Sequence, residues 1–259
     1  MKVLISAILL ALLTGCGSPP PAANAAPPVS NAPLYKKELG TGRVAGVVKF
    51  EGAAPKRTPL EVKGDPRCSA LHSGPVLSES LIVNDGRVQN AIVYVKSGWE
   101  RWSYPTPDGE VVVDQKHCRY TPHVVTVQTG QTIAFTNSDD LSHNVHGLPR
   151  KNPPFNFSQD ENRRRSTYVF TQQEVGVRVQ CDVHKWMSAF VGAFAHPFHA
   201  VTNEKGEFAI QGLLPGEYEL EVWHECHIAP ARVTVPQSVK VEVKDKETAG
   251  AEFVLRLVK

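Results

Sequence analysis

Alternating apolar and polar positions run through most of the chain beyond residue 40, and they predict strands. "RVAGVVKF" (43–50), "NAIVYVK" (90–96) and "EVVVD" (110–114) each carry the two-residue period of a half-buried strand. "HVVTVQ" (123–128) and "TIAFTN" (132–137) do the same, split by the turn residues Thr129, Gly130 and Gln131. "STYVFT" (166–171), "GVRVQC" (176–181) and "SAFVGAFAH" (188–196) follow. "GEFAIQGLLPGEYELEVWH" (206–224) reads as two strands around a Leu-Pro-Gly turn, and "ARVTV", "VKVEV" and "EFVLRL" complete the set. No long stretch has a helical period with caps. The 20 Pro and 19 Gly scattered between these runs point to an all-β fold built of sandwiches.

The N-terminus departs from this pattern. "MKVLISAILLALLTGCGS" has one Lys, an apolar run of roughly a dozen residues, and then small residues, which predicts a secretory signal too short to span a bilayer. "LTGC" (Leu13 to Cys16) resembles the lipobox of bacterial lipoproteins, which implies that residues 1–15 are removed and that Cys16 is acylated. The plainer alternative is an ordinary signal peptide with Cys16 incidental. Each buried acyl CH₂ contributes about 0.8 kcal/mol, so a multiply acylated Cys16 would hold the chain on a membrane face. The Pro/Ala-rich segment 16–40 reads as an extended tether. The expected location is extracytoplasmic, lipid-anchored to a bacterial membrane on its periplasmic or cell-surface side. A formal net charge of +2 argues against a nucleic-acid partner.

That compartment makes the cysteines informative. There are five, Cys16, Cys68, Cys118, Cys181 and Cys226, and idle thiols are uncommon where disulfides form. With Cys16 acylated and Cys181 on a metal, three are left and one of them is free. Cys68 with Cys118 is the preferred disulfide, and Cys226 could stand in for either. "CDVHKWM" (181–187) places a thiol, an imidazole and a thioether within one short segment. Alone it is a weak signal, since a buried thiol, a surface histidine and a core methionine would look the same. "NSDDLSHNVHG" (137–147) adds His143 and His146 after a strand, with enough chain between for a hairpin to return. Two imidazoles, a thiolate and a thioether form a soft donor set suited to copper in a His₂Cys plane with an axial Met, whereas zinc favours more thiolates or carboxylates. A metal-bound thiolate is occupied and has no need of a disulfide partner.

On these residues, 110–195 resembles the cupredoxins, and amicyanin in particular. The run through "GQTIAFTNSDDLSHNVHG" and the run "STYVFTQQEVGVRVQCDVHKWMSAFVGAF" match the two ligand-bearing hairpins, with the short C-x2-H-x2-M spacing. The resemblance implies one type 1 copper site held by His143, Cys181, His184 and axial Met187, with His146 the less favoured histidine. It also implies that the backbone N–H of Asn144 supports the Cys181 sulfur. The implied activity is one-electron transfer to a redox protein, a c-type cytochrome or a dehydrogenase or oxidase. His184 would lie at the exposed edge as the conduit, with Trp186 beside it as a docking aromatic or a lid. Such a site has no open coordination position, so no enzyme activity is expected. The alternative class is a module that sequesters copper or binds glycan or protein on its surface, without redox turnover.

"AVTNEKGEFAIQGLLPGEYELEVWHE" resembles the second half of a carboxypeptidase regulatory-like (transthyretin-like) sandwich, and "GRVAGVVKFEG" with "QNAIVYVKSG" resembles its first half. The implied organisation is a discontinuous sandwich, 41–98 and 197–259, interrupted by the cupredoxin at 104–196. Two consecutive domains, with 41–98 part of an extended cupredoxin, is the alternative. Three remaining motifs are read as structural. "HPFH" (196–199) and "HECH" (224–227) are surface or interface histidines, with His224 and Cys226 sharing one face of a strand. "DENRRR" (160–165) is a solvated loop that could steer an acidic partner.

Overall fold

The structure is a computed structural model that describes residues 31–227, 233 and 238–258. The expected signal peptide, Cys16 and most of the tether lie outside the described residues, as does all of the "ARVTV" strand but Val233. Among the described residues no helix is long and apolar enough to cross a membrane.

The protein is all-β and folds as two sandwiches. In the first, strand Gly42–Glu51 is central to a sheet containing Glu207–Leu213, Arg87–Gln89, Ile82–Asn84 and Thr248–Arg256. Its other sheet runs His199–Val201, Ile92–Ser97, Gly216–Trp223 and Val239–Val243. Val44, Val48, Val93, Val95, Phe208, Leu220 and Phe253 fill the space between, the inward positions of each alternating run. Strands before residue 98 therefore pair with strands after 198. Gly42–Glu51 pairs with nothing between residues 105 and 195.

The second sandwich occupies the intervening chain. One sheet runs Phe155–Gln159, His143–Leu148, Glu174–Gln180, Ser188–Phe194 and Val124–Gln128. The other runs Arg165–Val169, Thr132–Asn137, Val111–Gln115 and Tyr120–Thr121. Its core holds Val113, Ile133, Phe135, Val145, Phe170, Val179 and Val191. His143–Leu148, whose alternation is broken by Asn, His and Gly, and the short Phe155–Gln159 were not predicted. They are recruited by tertiary pairing, with Phe155 lying across Gly147, where a Cβ would come within 2.1 Å of its ring. A third cluster of Ile92, Tyr94, Val124, Phe190 and Phe194 joins the two sandwiches. Gly176 (φ +76°) belongs to this joint, because a Cβ there would fall 2.4 Å from the Trp223 indole.

Glu174 holds the far end of the second sandwich. Its buried carboxylate accepts backbone N–H bonds from Arg150 (2.5 Å), Lys151 (2.9 Å) and Asn152 (3.3 Å), and another from Asn152 Nδ2 (3.1 Å). Replacing Glu174 by Ala leaves several buried donors unpaired, and we expect a loss of about 3–5 kcal/mol in urea denaturation. Glu174→Gln, which keeps an acceptor oxygen, should lose less than half of that. A Glu174→Ala variant within 1 kcal/mol of wild type would show that water replaces the carboxylate.

One long segment belongs to neither set of sheets. Residues 52–81 cross the end of the second sandwich as a strap carrying the short helix Pro66–Ala70. Asp65 caps that helix by accepting from Arg67 N–H (2.9 Å), and Pro66 opens it. Cys68 on the helix is joined to Cys118 across a sequence separation of 50, a loop closure worth about 4 kcal/mol by chain entropy.

Candidate metal centre

Pairing brings the two donor segments together. Strands His143–Leu148 and Glu174–Gln180 run antiparallel with Gln180 opposite His146, so the loop after Gln180 lies beside the start of the other strand. His143, Cys181 and His184 then present Nδ1 or Nε2 and Sγ atoms that all lie within 4.8 Å of one another. All three are at most 2% exposed, and Met187, 1% exposed, packs in the same core cluster as Cys181. His146 faces away and binds the Asp182 carboxylate through Nδ1 (2.9 Å).

The loop is closed by its own backbone. Cys181 N–H donates to the Met187 carbonyl (3.2 Å), Met187 N–H to the His184 carbonyl (2.9 Å), and His184 N–H to Cys181 Sγ (3.3 Å). Asn144 fastens this loop to the His143 strand. Its side-chain oxygen accepts from Asp182 N–H (2.6 Å), its Nδ2 donates to Asp182 Oδ2 (3.0 Å), and its carbonyl accepts from the Tyr120 hydroxyl (2.5 Å). Its backbone N–H also points at Cys181. Burial pushes the Cys181 thiol up, but the His143 ring and the N–H groups of Asn144, His184 and Val183 outweigh it and hold the thiol below its ordinary value.

The imidazoles carry the clearest sign of a cation. His143 Nε2 meets Asp139 Oδ2 at 3.0 Å and His184 Nε2 meets Asp65 Oδ2 at 3.3 Å. Each outer nitrogen thus donates its hydrogen to a carboxylate, which leaves a lone pair on each Nδ1. Those two Nδ1 atoms are 2.9 Å apart beside the Cys181 sulfur. Two lone pairs so close require a positive charge between them, a proton or a metal ion. The residues present therefore fit a soft divalent or monovalent metal. Burial disfavours charge on both rings. The Asp139 bond and the Cys181 sulfur nonetheless raise His143 above its usual value, while His184 lies below its own.

Sequence reasoning missed both carboxylates. Asp139 accepts from the N–H groups of His117 (2.6 Å) and Cys118 (2.7 Å), two residues in the left-handed region, and so ties the disulfide turn to His143. The only local signal was an Asx turn, with Asp139 N–H bonded to Asn137 Oδ1 (3.1 Å). Asp65 had a signal as a helix cap and none as a neighbour of His184. Two further triads, Asp65 with Cys68 and His184, and Cys118 with Asp139 and His143, are also compact. Each contains a cysteine of the Cys68–Cys118 disulfide, which has no thiolate to offer.

Several expectations are corrected. His184 is not at an exposed edge: it is 2% exposed, because the strap lays Asp65 on its Nε2 and Trp186 packs against its ring with centroids 5.1 Å apart. Trp186 is a lid, with its Nε1–H bonded to the Cys118 carbonyl (3.1 Å). Asp182, to which the sequence reading gave no role, accepts from His146, Gln180, Asn144 and Asn156, and these bonds, His146's above all, hold it far below the usual carboxylate range. His196 is buried among Trp99, Phe194 and Phe198, so it is no surface histidine. Glu225–His227 is a 3₁₀ turn rather than a strand, so His224 and Cys226 share no strand face, and Glu225 pairs with His123. Cys226 stays free, donating to the Ser80 carbonyl (2.8 Å), and burial pushes its thiol up to about 12. In "DENRRR", Arg164 donates to the Asp139 carbonyl (2.7 Å) and pairs with Asp140 (3.0 Å), which braces the loop before His143.

No family model matches the chain, and no curated protein matches it in sequence. Part of it is similar to solved structures. Amicyanin from Paracoccus versutus shares 20% identity over 39% of this chain and 96% of its own, with a TM-score of 0.29. A purple cupredoxin from Nitrosopumilus maritimus shares 21% over 33% of this chain and 99% of its own, with a TM-score of 0.28. The copper-containing nitrite reductase from Thermus scotoductus SA-01 shares 20% over 39% of this chain, with a TM-score of 0.31. This chain spans only 25% of that reductase. Likenesses of this size carry no argument about chemistry, and the case for a metal rests on the donors themselves.

Proposed function

We propose that this chain holds one copper ion in a type 1 site formed by His143, Cys181, His184 and Met187 and passes single electrons between redox proteins outside the cytoplasm. The observation that supports it is the pair of Nδ1 atoms 2.9 Å apart beside a free, buried cysteine whose thiol is shifted toward thiolate. Copper, when bound, supplies reversible one-electron chemistry. The chain's part is to keep its donors fixed in both oxidation states, which the internal hydrogen bonds of loop 181–187 and the Asn144 clamp favour. One electron enters from a donor protein and leaves to an acceptor, a c-type cytochrome or a dehydrogenase or oxidase, and no bond is made or broken. Adding Cu(II) to the metal-free protein should develop an intense visible band at one equivalent, with reversible voltammetry. A colourless complex would overturn the proposal.

Burial of both histidines favours a second reading, in which the protein sequesters copper without redox turnover. Tight Cu(I) binding with no reversible wave would support it. We also propose anchoring through an acylated Cys16, in keeping with the Cys68–Cys118 disulfide expected of an oxidising compartment. Cys16→Ala should move the protein from the membrane to the soluble fraction, and an unchanged distribution would count against a lipid anchor.

A further inference from the structure

His184 is contacted by a residue from outside the sheets of the sandwich that carries it. Asp65 lies on the strap 52–81, 119 positions earlier in the chain, and its Oδ2 faces His184 Nε2 at 3.3 Å. The contact is held from several directions. Arg67 grips the same carboxylate through Nη2 (2.9 Å) and its backbone N–H (2.9 Å). Cys68, three residues on, is bonded to Cys118, whose carbonyl accepts from Trp186. His72 Nε2 donates to the His117 carbonyl (3.0 Å), and a Cβ on Gly64 would lie 3.5 Å from the Trp186 ring. The strap is therefore docked against both members of the His184–Trp186 pair.

We propose that Asp65 is a positioning residue of the metal centre, and that the strap is a built-in lid whose carboxylate selects the His184 tautomer and favours the oxidised metal. The inference rests on the copper reading above. An imidazole that donates Nε2–H to a carboxylate keeps its Nδ1 lone pair for a metal and becomes a stronger donor, which benefits the more highly charged oxidation state. Asp139 does the same for His143 from within the second sandwich, so each ligand has its own carboxylate. Only the carboxylate on His184 is carried by the strap itself. Because His184 is already enclosed, the lid also denies its ring edge to any docking protein.

The test compares Asp65→Ser and Asp65→Asn with wild type. Both replacements are good N-caps, so the helix Pro66–Ala70 keeps its start. In the metal-free protein, long-range ¹H–¹⁵N spectra should show His184 protonated at Nε2 in wild type and as a tautomer mixture in Asp65→Ser. In the copper-loaded protein, Asp65→Ser should lose about tenfold in its preference for Cu(II) over Cu(I), a rise of about 59 mV in reduction potential. Asp65→Asn, which keeps an oxygen acceptor but no charge, should rise less. A His184 tautomer that does not respond to Asp65→Ser overturns the inference, and so do equal potentials in a blue wild type and a blue variant. If wild type takes up copper without turning blue, the copper reading fails by itself and the tautomer decides the role of Asp65.

Discussion

Replacing Cys181 by Ser should abolish the visible copper band while leaving a folded protein. The serine hydroxyl would receive the same N–H groups from His184, Val183 and Asn144, so the loop keeps its internal bonds. What it loses is the soft, readily ionised donor, because an alcohol stays protonated where a thiol so placed deprotonates. The fold should lose no more than about 1–2 kcal/mol, since the exchange swaps one small buried side chain for another. His146→Ala is the control. His146 lies within the same "HNVH" run but faces Asp182 rather than the centre, so its loss should leave the band in place. A band that survives Cys181→Ser, or one that disappears in His146→Ala, would show the donor set to be misassigned.

Acid should weaken the protein through two histidines far from that centre. His196 and His199 are pushed down to about 3 and about 4, chiefly by burial and for His196 also by the neighbouring His199. His196 Nε2 and both ring nitrogens of His199 are buried without a hydrogen-bond partner among the described residues. The unfolded chain protonates both near their ordinary value of about 6.5, while the folded one resists until the lowered values. Stability from the pair is therefore complete above about pH 6.5 and drains away as pH falls from there to the folded values, where the loss levels off. Between about pH 7 and about pH 4 the loss should reach about 3 kcal/mol for each histidine, about 6 kcal/mol together, a large share of a typical total of 5–15 kcal/mol. His123 works in the opposite sense. Burial lowers it, but Glu225 outweighs burial and raises it, so its contribution is present below its ordinary value. The difference between variants isolates the effect. His199 stacks on Phe194 at 4.8 Å, so His199→Phe keeps the stack and removes the titration. Urea denaturation at the two pH values should show His199→Phe losing about 3 kcal/mol less than wild type. Equal losses in the two proteins would locate the acid weakness elsewhere.

These two results draw on different kinds of information. The donors His143, Cys181, His184 and Met187 could be proposed from the chain because their chemistry is local: a short loop and a strand end carry residue types that few structural roles require together. Strand positions were legible for the same reason. Alternation reports which face is buried, and it located Gly42–Glu51, Thr132–Asn137 and Gly216–Trp223 to within two residues. It failed at His143–Leu148, whose strand character comes from pairing with Phe155–Gln159 on one side and Glu174–Gln180 on the other.

The sequence by itself determined an all-β chain, where its main strands lie, and the kinds of atom able to bind a metal. For the cysteines the sequence preferred Cys68 with Cys118 but left Cys226 open as a substitute for either, and tertiary structure closed that choice by bringing the strap against Cys118. Tertiary structure alone placed Asp65 and Asp139 on the outer nitrogens of the histidines: Asp65 lies 119 positions from His184, and Asp139, only four before His143, is turned onto the ring by the fold of its loop. And it alone closed the His184 edge, by laying a segment with no sheet of its own over a ring that the loop by itself would have left in water.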